Sequence, residues 1–195
     1  MKVLKSRKAA ILITVVIAIL ATLLGVYRTS NKYTRDIEAM FYDGVYLKSE
    51  GYTQPGIESH LNNAANAALG LATLMETYPE LEFQVEKLKS ARRGLLAAET
   101  ISEKNIAFLE MRERYIDLDN ASLNEGLNLG ISERDIIAVS QYDSTFFGAL
   151  NALSASGYND EVMEYLNSRS FLTRLLVVFT PAREPEYFIT PGITR

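Results

Sequence analysis

The chain has no cysteine, no tryptophan, one histidine and five prolines in 195 residues. Without cysteine there can be no disulfide framework and no thiolate metal ligand, and a single histidine cannot assemble the usual zinc sites. An excess of positive charge is missing as well: 20 Lys and Arg stand against 24 Asp and Glu, for a net charge of -4. A nucleic-acid groove needs clustered bases to neutralise phosphates, so no nucleic-acid partner is expected. Glycine-rich phosphate loops, a His-Glu-x-x-His helix and a Gly-x-Ser-x-Gly elbow are absent too. The length suits one membrane segment plus one compact domain and is too short for two full domains.

What is present is unevenly distributed. Lys2, Lys5, Arg7 and Lys8 stand unopposed by any acid, so the charge splits into +4 over the first eight residues and -8 over the rest. Ala9 to Val26 then reads AAILITVVIAILATLLGV, 18 residues without a charge. At about 1.5 Å per residue this run covers roughly 27 Å of a hydrocarbon core about 30 Å thick, and Lys8 and Arg28 can snorkel to close the gap. It predicts a transmembrane helix over residues 9–27, with the lipid bilayer as its partner. The rival reading is a cleaved signal peptide, whose apolar region usually runs about 7 to 15 residues and ends in a small-x-small site. Leu23-Leu24-Gly25-Val26-Tyr27-Arg28 offers no such site. Four bases before the segment against Arg28, Lys32 and Arg35 after it orient the N-terminus inside and the remainder outside.

Beyond the anchor, helical periodicity dominates. Six helical segments are expected. The first, about Arg28 to Lys48, can continue directly from the membrane helix, and Gly51 to Gly56 with Pro55 breaks the chain after it. The second, Ile57 to Tyr78, spaces Leu61, Ala65, Ala68, Ala72 and Met75 along one face, and its small residues would let a neighbouring helix come close. Pro79 suits the first turn of a third helix with the stripe Leu81, Val85, Leu88, Leu95. Thr100-Ile101-Ser102-Glu103 has the form of a capping box, opening a fourth helix with Phe108, Met111, Tyr115 and Leu118. Gly126 and Gly130 end it. Ser132 with Asp135 opens a fifth helix to about Ala155, and Asn159 with Asp160 and Glu161 caps a sixth that runs to about Phe179 before Pro181. The organisation expected is therefore residues 1–8 as a basic cytoplasmic N-terminus, 9–27 as the transmembrane helix, 28–180 as an extracytoplasmic bundle and 181–195 as a C-terminal tail. The fold class is all-α, an N-terminal transmembrane helix followed by an antiparallel up-and-down helical bundle.

Chemistry is sparse along this frame. His60 reads as a capped or surface histidine, since no motif supplies an orienting partner. Glu110, Glu113, Asp117 and Asp119 share a helix with Arg112 and Arg114, the pattern of a solvated face. Gly126-x-x-x-Gly130 is set among polar residues and reads as a turn. Asp143 and Arg169 sit on otherwise apolar stripes of the fifth and sixth helices and are candidates for an interhelical pair that fixes register. The run Phe171 to Phe179 is the most apolar outside the anchor. At nine residues it is too short to span a bilayer. A helix end buried in the bundle is the expectation there, and an interfacial patch against lipid or a membrane partner is the alternative.

Tyr158-Asn159-x-x-Val162-x-x-Tyr165, an apolar stretch, Pro181 and then Pro185-Glu186-Tyr187-Phe188 together resemble the C-terminal end of LemA family proteins. Tyr78-Pro79-Glu80-Leu81 is similar to that family's Tyr-Pro-x-Leu turn. The resemblance implies a membrane-anchored antiparallel bundle of the bacterial envelope, with the cytoplasmic membrane as its location. It carries over no catalytic residue. Tyr158, Asn159, Val162, Tyr165, Pro185, Tyr187 and Phe188 are thus candidate interaction residues.

The leading expectation for function is a non-enzymatic scaffold or adaptor, offering helix faces to another envelope protein or to a second copy, with no cofactor. The alternative is a sensor-type bundle that binds a small ligand between helices and works with a separate signalling protein. Such a site would show a cavity of roughly 300 Å³ or more with convergent polar groups, whereas a scaffold would show an exposed apolar face. An envelope hydrolase lacks any nucleophile and base that the sequence identifies.

Overall fold

In the computed structural model the residues described are 7–47, 51–124 and 130–188, without side-chain detail at 46, 47 and 124. The chain is all-α apart from one short hairpin. Helix α1 is a single 37-residue helix, Arg7–Asp43, so the apolar run continues into the first outer helix without a break. Its best 18-residue window has a mean hydropathy of 2.8 and none of it is buried in the protein. Thr14 and Thr22 donate their hydroxyls to Ala10 O (3.0 Å) and Ala18 O (2.9 Å), which leaves no side-chain donor unpaired within the apolar stretch.

The first outer helix ends at Asp43, earlier than periodicity suggested. Gly44 has φ +83° and a Cβ there would collide with the carbonyl oxygen of Gln54, so the chain turns where only glycine fits. Strands β1 (Val45–Leu47) and β2 (Tyr52–Gln54) then pair antiparallel, with Val45 opposite Gln54 and Leu47 opposite Tyr52. Helices α2 (Ile57–Met75), α3 (Glu82–Ala97), α4 (Ile101–Asn124) and α5 (Glu133–Ser154) come next, with Pro79–Leu81 forming a 3-10 turn ahead of α3.

The expected sixth helix is two helices, α6 (Tyr158–Ser168) and α7 (Phe171–Val178). Two serines flank the break. Ser168 turns its hydroxyl back to Tyr165 O (2.9 Å), and Ser170 accepts from Thr173 N (3.2 Å) to cap a new helix. Two other sequence signals are realised as caps. Glu103 N donates to Thr100 Oγ1 (3.1 Å) while Glu103 Oε2 accepts from Thr100 N (3.0 Å), and Asp135 N donates to Ser132 Oγ (3.2 Å). The hydrogen bonds from Thr100 and Glu99 hold the Glu103 carboxyl below its usual range. Gly130, at φ +67°, lies in a turn as expected, while Gly126 falls outside the described residues.

The chain forms two compact units, one from the residues up to Ala39 with Asp160–Pro185, the other from Met40–Asn159 with the chain from Glu186 onward. In the second unit α2 packs between α3 and α5, and α3 packs on α4. The predicted stripes are the core: Leu61, Ala65, Ala68, Ala72 and Met75 of α2, Val85, Leu88 and Leu95 of α3, and Phe108, Met111, Tyr115 and Leu118 of α4 are all buried. The small residues of α2 do admit a close neighbour, because the ring of Tyr142 from α5 rests on Gly70, where a Cβ would collide with it. In the first unit Ile37 and Val162 are buried, and Tyr165 meets α1 through a 2.8 Å hydrogen bond to Ser30 Oγ and a ring contact with Tyr33 at 5.7 Å.

Candidate functional site

Between α4 and α5 the second unit leaves a cleft of about 810 Å³. Its walls reflect helical spacing. Arg112, Ile116, Asp119 and Asn120 line it from α4, and Ser140, Asp143, Ser144, Phe147, Gly148 and Asn151 line it from α5, a run at intervals of three, one, three, one and three. Next to these, Tyr115 and Phe146 stack face to face across the two helices, with centroids 3.8 Å apart and planes 4° from parallel. Both rings are fully buried and bring the helices together at that level.

Two carboxyl groups meet in this cleft. Asp143 Oδ1 accepts from the Tyr115 hydroxyl at 2.9 Å, and the Asp119 carboxyl lies within hydrogen-bonding reach of Asp143. Burial, followed by the charge of Asp143 and the hydrogen bond to it, pushes Asp119 up to about 7. Two carboxylates in contact repel, which is why the Asp143 charge adds to burial in raising Asp119. Burial, with the Asp143 charge behind it, also drives the Tyr115 phenol far above its ordinary range, so it remains a donor. Asp119 Oδ1 and Arg112 Nε are both buried without a protein partner. An acceptor and a cationic donor are thereby left unsatisfied at one cleft.

Asp119 does not belong to the solvated face that the sequence suggested. Arg114 makes that face, pairing with Asp117 at 3.1 Å and Glu113 at 3.5 Å, while Arg112 and Asp119, seven residues apart, turn to the cleft. The signal for the site was Asp143 on an apolar stripe. What sequence could not supply was its partner, since Asp119 looks like any acid in an acidic helix.

Asp143 and Arg169, the expected interhelical pair, fall in different compact units. Asp143 bonds Tyr115 in the second unit, and Arg169, in the first, binds Glu184 at 2.7 Å and lies over the ring of Tyr165 at 5.2 Å. The end of α6 at Ser168 places Arg169 just past that helix.

The resemblance-derived residues are found at two places. In the second unit the Tyr158 hydroxyl donates to Glu186 O (2.8 Å), and its ring lies 5.6 Å from that of Phe41. Asn159 does not cap its helix as expected. Its amide instead clamps the backbone of Phe188, donating to Phe188 O (2.5 Å) and accepting from Phe188 N (3.0 Å). Phe188 is fully buried against Phe41 and Phe108, and Glu186 Oε2 accepts from Ser102 N (2.7 Å) at the start of α4. Tyr187 points out, 44% exposed. In the first unit Val162 and Pro185 are buried and Tyr165 holds Ser30. These residues fasten the chain, and their arrangement is that of a strap.

Tyr78 is similarly structural, donating to Asp135 Oδ2 at 2.6 Å, a bond that holds the Asp135 carboxyl low. His60 is half-buried on α2, where burial lowers its pKa, and it does not line the cleft. Among the described residues no group of three or more potential metal ligands comes together.

Known proteins add no assignment. No family model matches the chain, and no curated protein and no solved structure matches it.

Proposed function

We propose that the protein is a membrane-tethered, non-enzymatic helical bundle of the bacterial envelope that binds a small amine-bearing ligand in the cleft between α4 and α5. The observation that carries this reading is the Asp119 and Asp143 pair at the wall of an 810 Å³ cleft, where burial and Asp143 raise Asp119 to about 7, so that it holds a proton more readily than an ordinary carboxyl. An ammonium group entering the cleft would replace that proton, leaving both carboxylates charged and paired. Arg112 offers a charged donor for an acidic end of the ligand, Asn120, Asn151 and Ser144 offer neutral hydrogen bonds, and Phe147 and Ile116 offer apolar contact. An α-amino acid has that combination of groups.

The non-enzymatic part of the reading is supported by local chemistry. Ser140 donates its hydroxyl to Ile136 O at 3.2 Å, which ties it to its own helix, and the one histidine lies elsewhere. The tether is the apolar stretch of α1; the LemA-like motifs favour the envelope placement, and the flanking Lys and Arg counts favour the N-terminus inside.

Isothermal titration calorimetry of the full chain in detergent, against primary amines and α-amino acids, tests the ligand reading. Binding should release close to one proton near pH 6.5 and should weaken at least about tenfold in Asp143→Asn. If no member of the panel binds at millimolar concentration, or binding is indifferent to Asp143, the reading fails. The scaffold reading has one observation in its favour, the exposed apolar side chains of α7, and the position of that helix along α1 suits lipid better than a protein partner.

A further inference from the structure

Helix α7 carries its apolar face on the outside. Phe171, Leu172, Leu175, Val178 and Phe179 are all exposed, Phe171 and Val178 to 78%, whereas Val177 is buried to 8%. The five exposed positions fall at intervals of one, three, three and one, a single stripe on a helix. The opposite side is the one that faces protein: besides Val177, the Arg174 guanidinium donates to Leu166 O (3.2 Å) and Asn167 O (3.3 Å) at the end of α6. A helix of a water-soluble surface shows the reverse arrangement. The expectation that this run is a buried helix end is therefore overturned by its exposure.

The ends of the segment locate it along α1. Before α7, Tyr165 is bonded to Ser30; after it, Arg183 N donates to Asn31 Oδ1 (3.0 Å), Thr34 Oγ1 donates to Arg183 O (2.8 Å), and the Arg183 guanidinium reaches Glu38 (3.4 Å). The contacts at Ser30, Asn31 and Thr34 lie four to eight residues past Val26, the last residue of the apolar run, or about 6 to 12 Å along the helix axis, and Glu38 lies one further turn on. The headgroup layer occupies roughly 5 to 8 Å outside the hydrocarbon core. An eight-residue helix, about 12 Å long, held at both ends at this height stays at the membrane surface. Arg28, Lys32 and Arg35 on α1 and Arg174 on α7 supply positive charge at the same level, which suits anionic headgroups.

We infer that α7 lies in the bilayer interface, with Phe171, Leu172, Leu175, Val178 and Phe179 set into the lipid beside the emerging α1. The inference rests on α1 being a membrane helix, and it makes the contact with the bilayer two-sited: a spanning helix and a short in-plane helix joined by the Tyr165 and Arg183 fastenings. The fastening of its flanks to α1 within four to eight residues of the end of the apolar run selects lipid over a protein partner as the occupant of this face.

Because the chain has no cysteine, single-cysteine variants of the full chain can be labelled without background. Val178→Cys, Leu20→Cys and Asp36→Cys, each carrying a fluorophore, would be reconstituted into vesicles of phosphatidylcholine and phosphatidylglycerol with and without spin-labelled lipid. Quenching at 178 should exceed that at 36 by about threefold or more and approach the level at 20. Strong quenching at 20 with none at 178 would sink the inference while leaving the anchor intact. Absence of quenching at 20 would remove the membrane helix and the inference together. Short-range coupling between 178 labels of two chains, in place of quenching, would give the face to a second copy and equally overturn the lipid assignment.

Discussion

Asp119 shows how one residue's environment sets a measurable pH dependence. Its carboxyl is raised from the ordinary 3.8 to about 7 by burial and by Asp143, so its protonated form is the one the fold prefers. The stabilisation is fully present below about pH 4 and is lost as pH rises to about 7. Full burial would make such a shift worth about 4 kcal/mol, and solvent screening of a half-buried carboxyl brings it to about 1 to 2 kcal/mol. Asp119→Asn, whose amide can donate to Asp143 at any pH, should be more stable than the native chain by that amount at pH 8 and equal to it at pH 4. Denaturant melts at the two pH values check this, and equal stability at both would show that the fold does not raise Asp119. Asn159 is a second case. Asn159→Ala strands the N–H and C=O of the buried Phe188, at a cost of about 1 to 3 kcal/mol. The melting of that variant should fall accordingly, and Asn159→Asp, which keeps an acceptor and loses the donor, should not restore it. Both residues were visible in the sequence with the wrong partner, since a hydrogen bond between residues 29 positions apart leaves no periodic trace.

Among the elements, the helices with strong apolar periodicity lie close to where the residues put them. The stripes of α2, α3 and α4 became the core because burying one face is the only way such helices leave water. The capping box at Thr100 and the N-cap at Ser132 also formed, since a cap is a contact within three residues. The failures share a cause. The hairpin at 45–54 turns on the backbone angle at Gly44, and the split of the sixth helix falls where Ser170 caps a new helix through Thr173 N. Neither disturbs the hydrophobic pattern. Close approach of α2 and α5 at Gly70 yields a test at this scale. Gly70→Ala should displace the Tyr142 ring and destabilise the second unit by about 1 to 3 kcal/mol, despite the better helix propensity of alanine. Thermal denaturation of the variant decides it, and a gain in stability would mean that the ring moves freely.

For the molecule as a whole, one N-terminal helix is long and apolar enough to cross a membrane, while the remainder of the sequence is acidic. An uncleaved anchor predicts that the intact chain remains in the membrane fraction after alkaline washing, with the mass of the unprocessed sequence. Fusion reporters at the C-terminal end should be active on the outer side only. A cytoplasmic reporter signal, or a chain released after loss of residues up to about 27, would contradict the placement.

The residues alone determined the features that local physics governs: an 18-residue uncharged run, helices from their period, caps from neighbouring side chains, and an all-α class from the lack of sustained alternation. Only the tertiary structure decided which charged groups meet and which apolar faces remain uncovered. Asp119 and Asp143 are 24 positions apart and become a titrating pair because two helices are clamped by a stacked Tyr115 and Phe146. The stripe of α7 is as apolar as any core stripe, and its exposure results from where its two ends are fastened on α1. Hydrophobicity states what a side chain avoids, and the packing of the chain settles whether protein or another medium covers it.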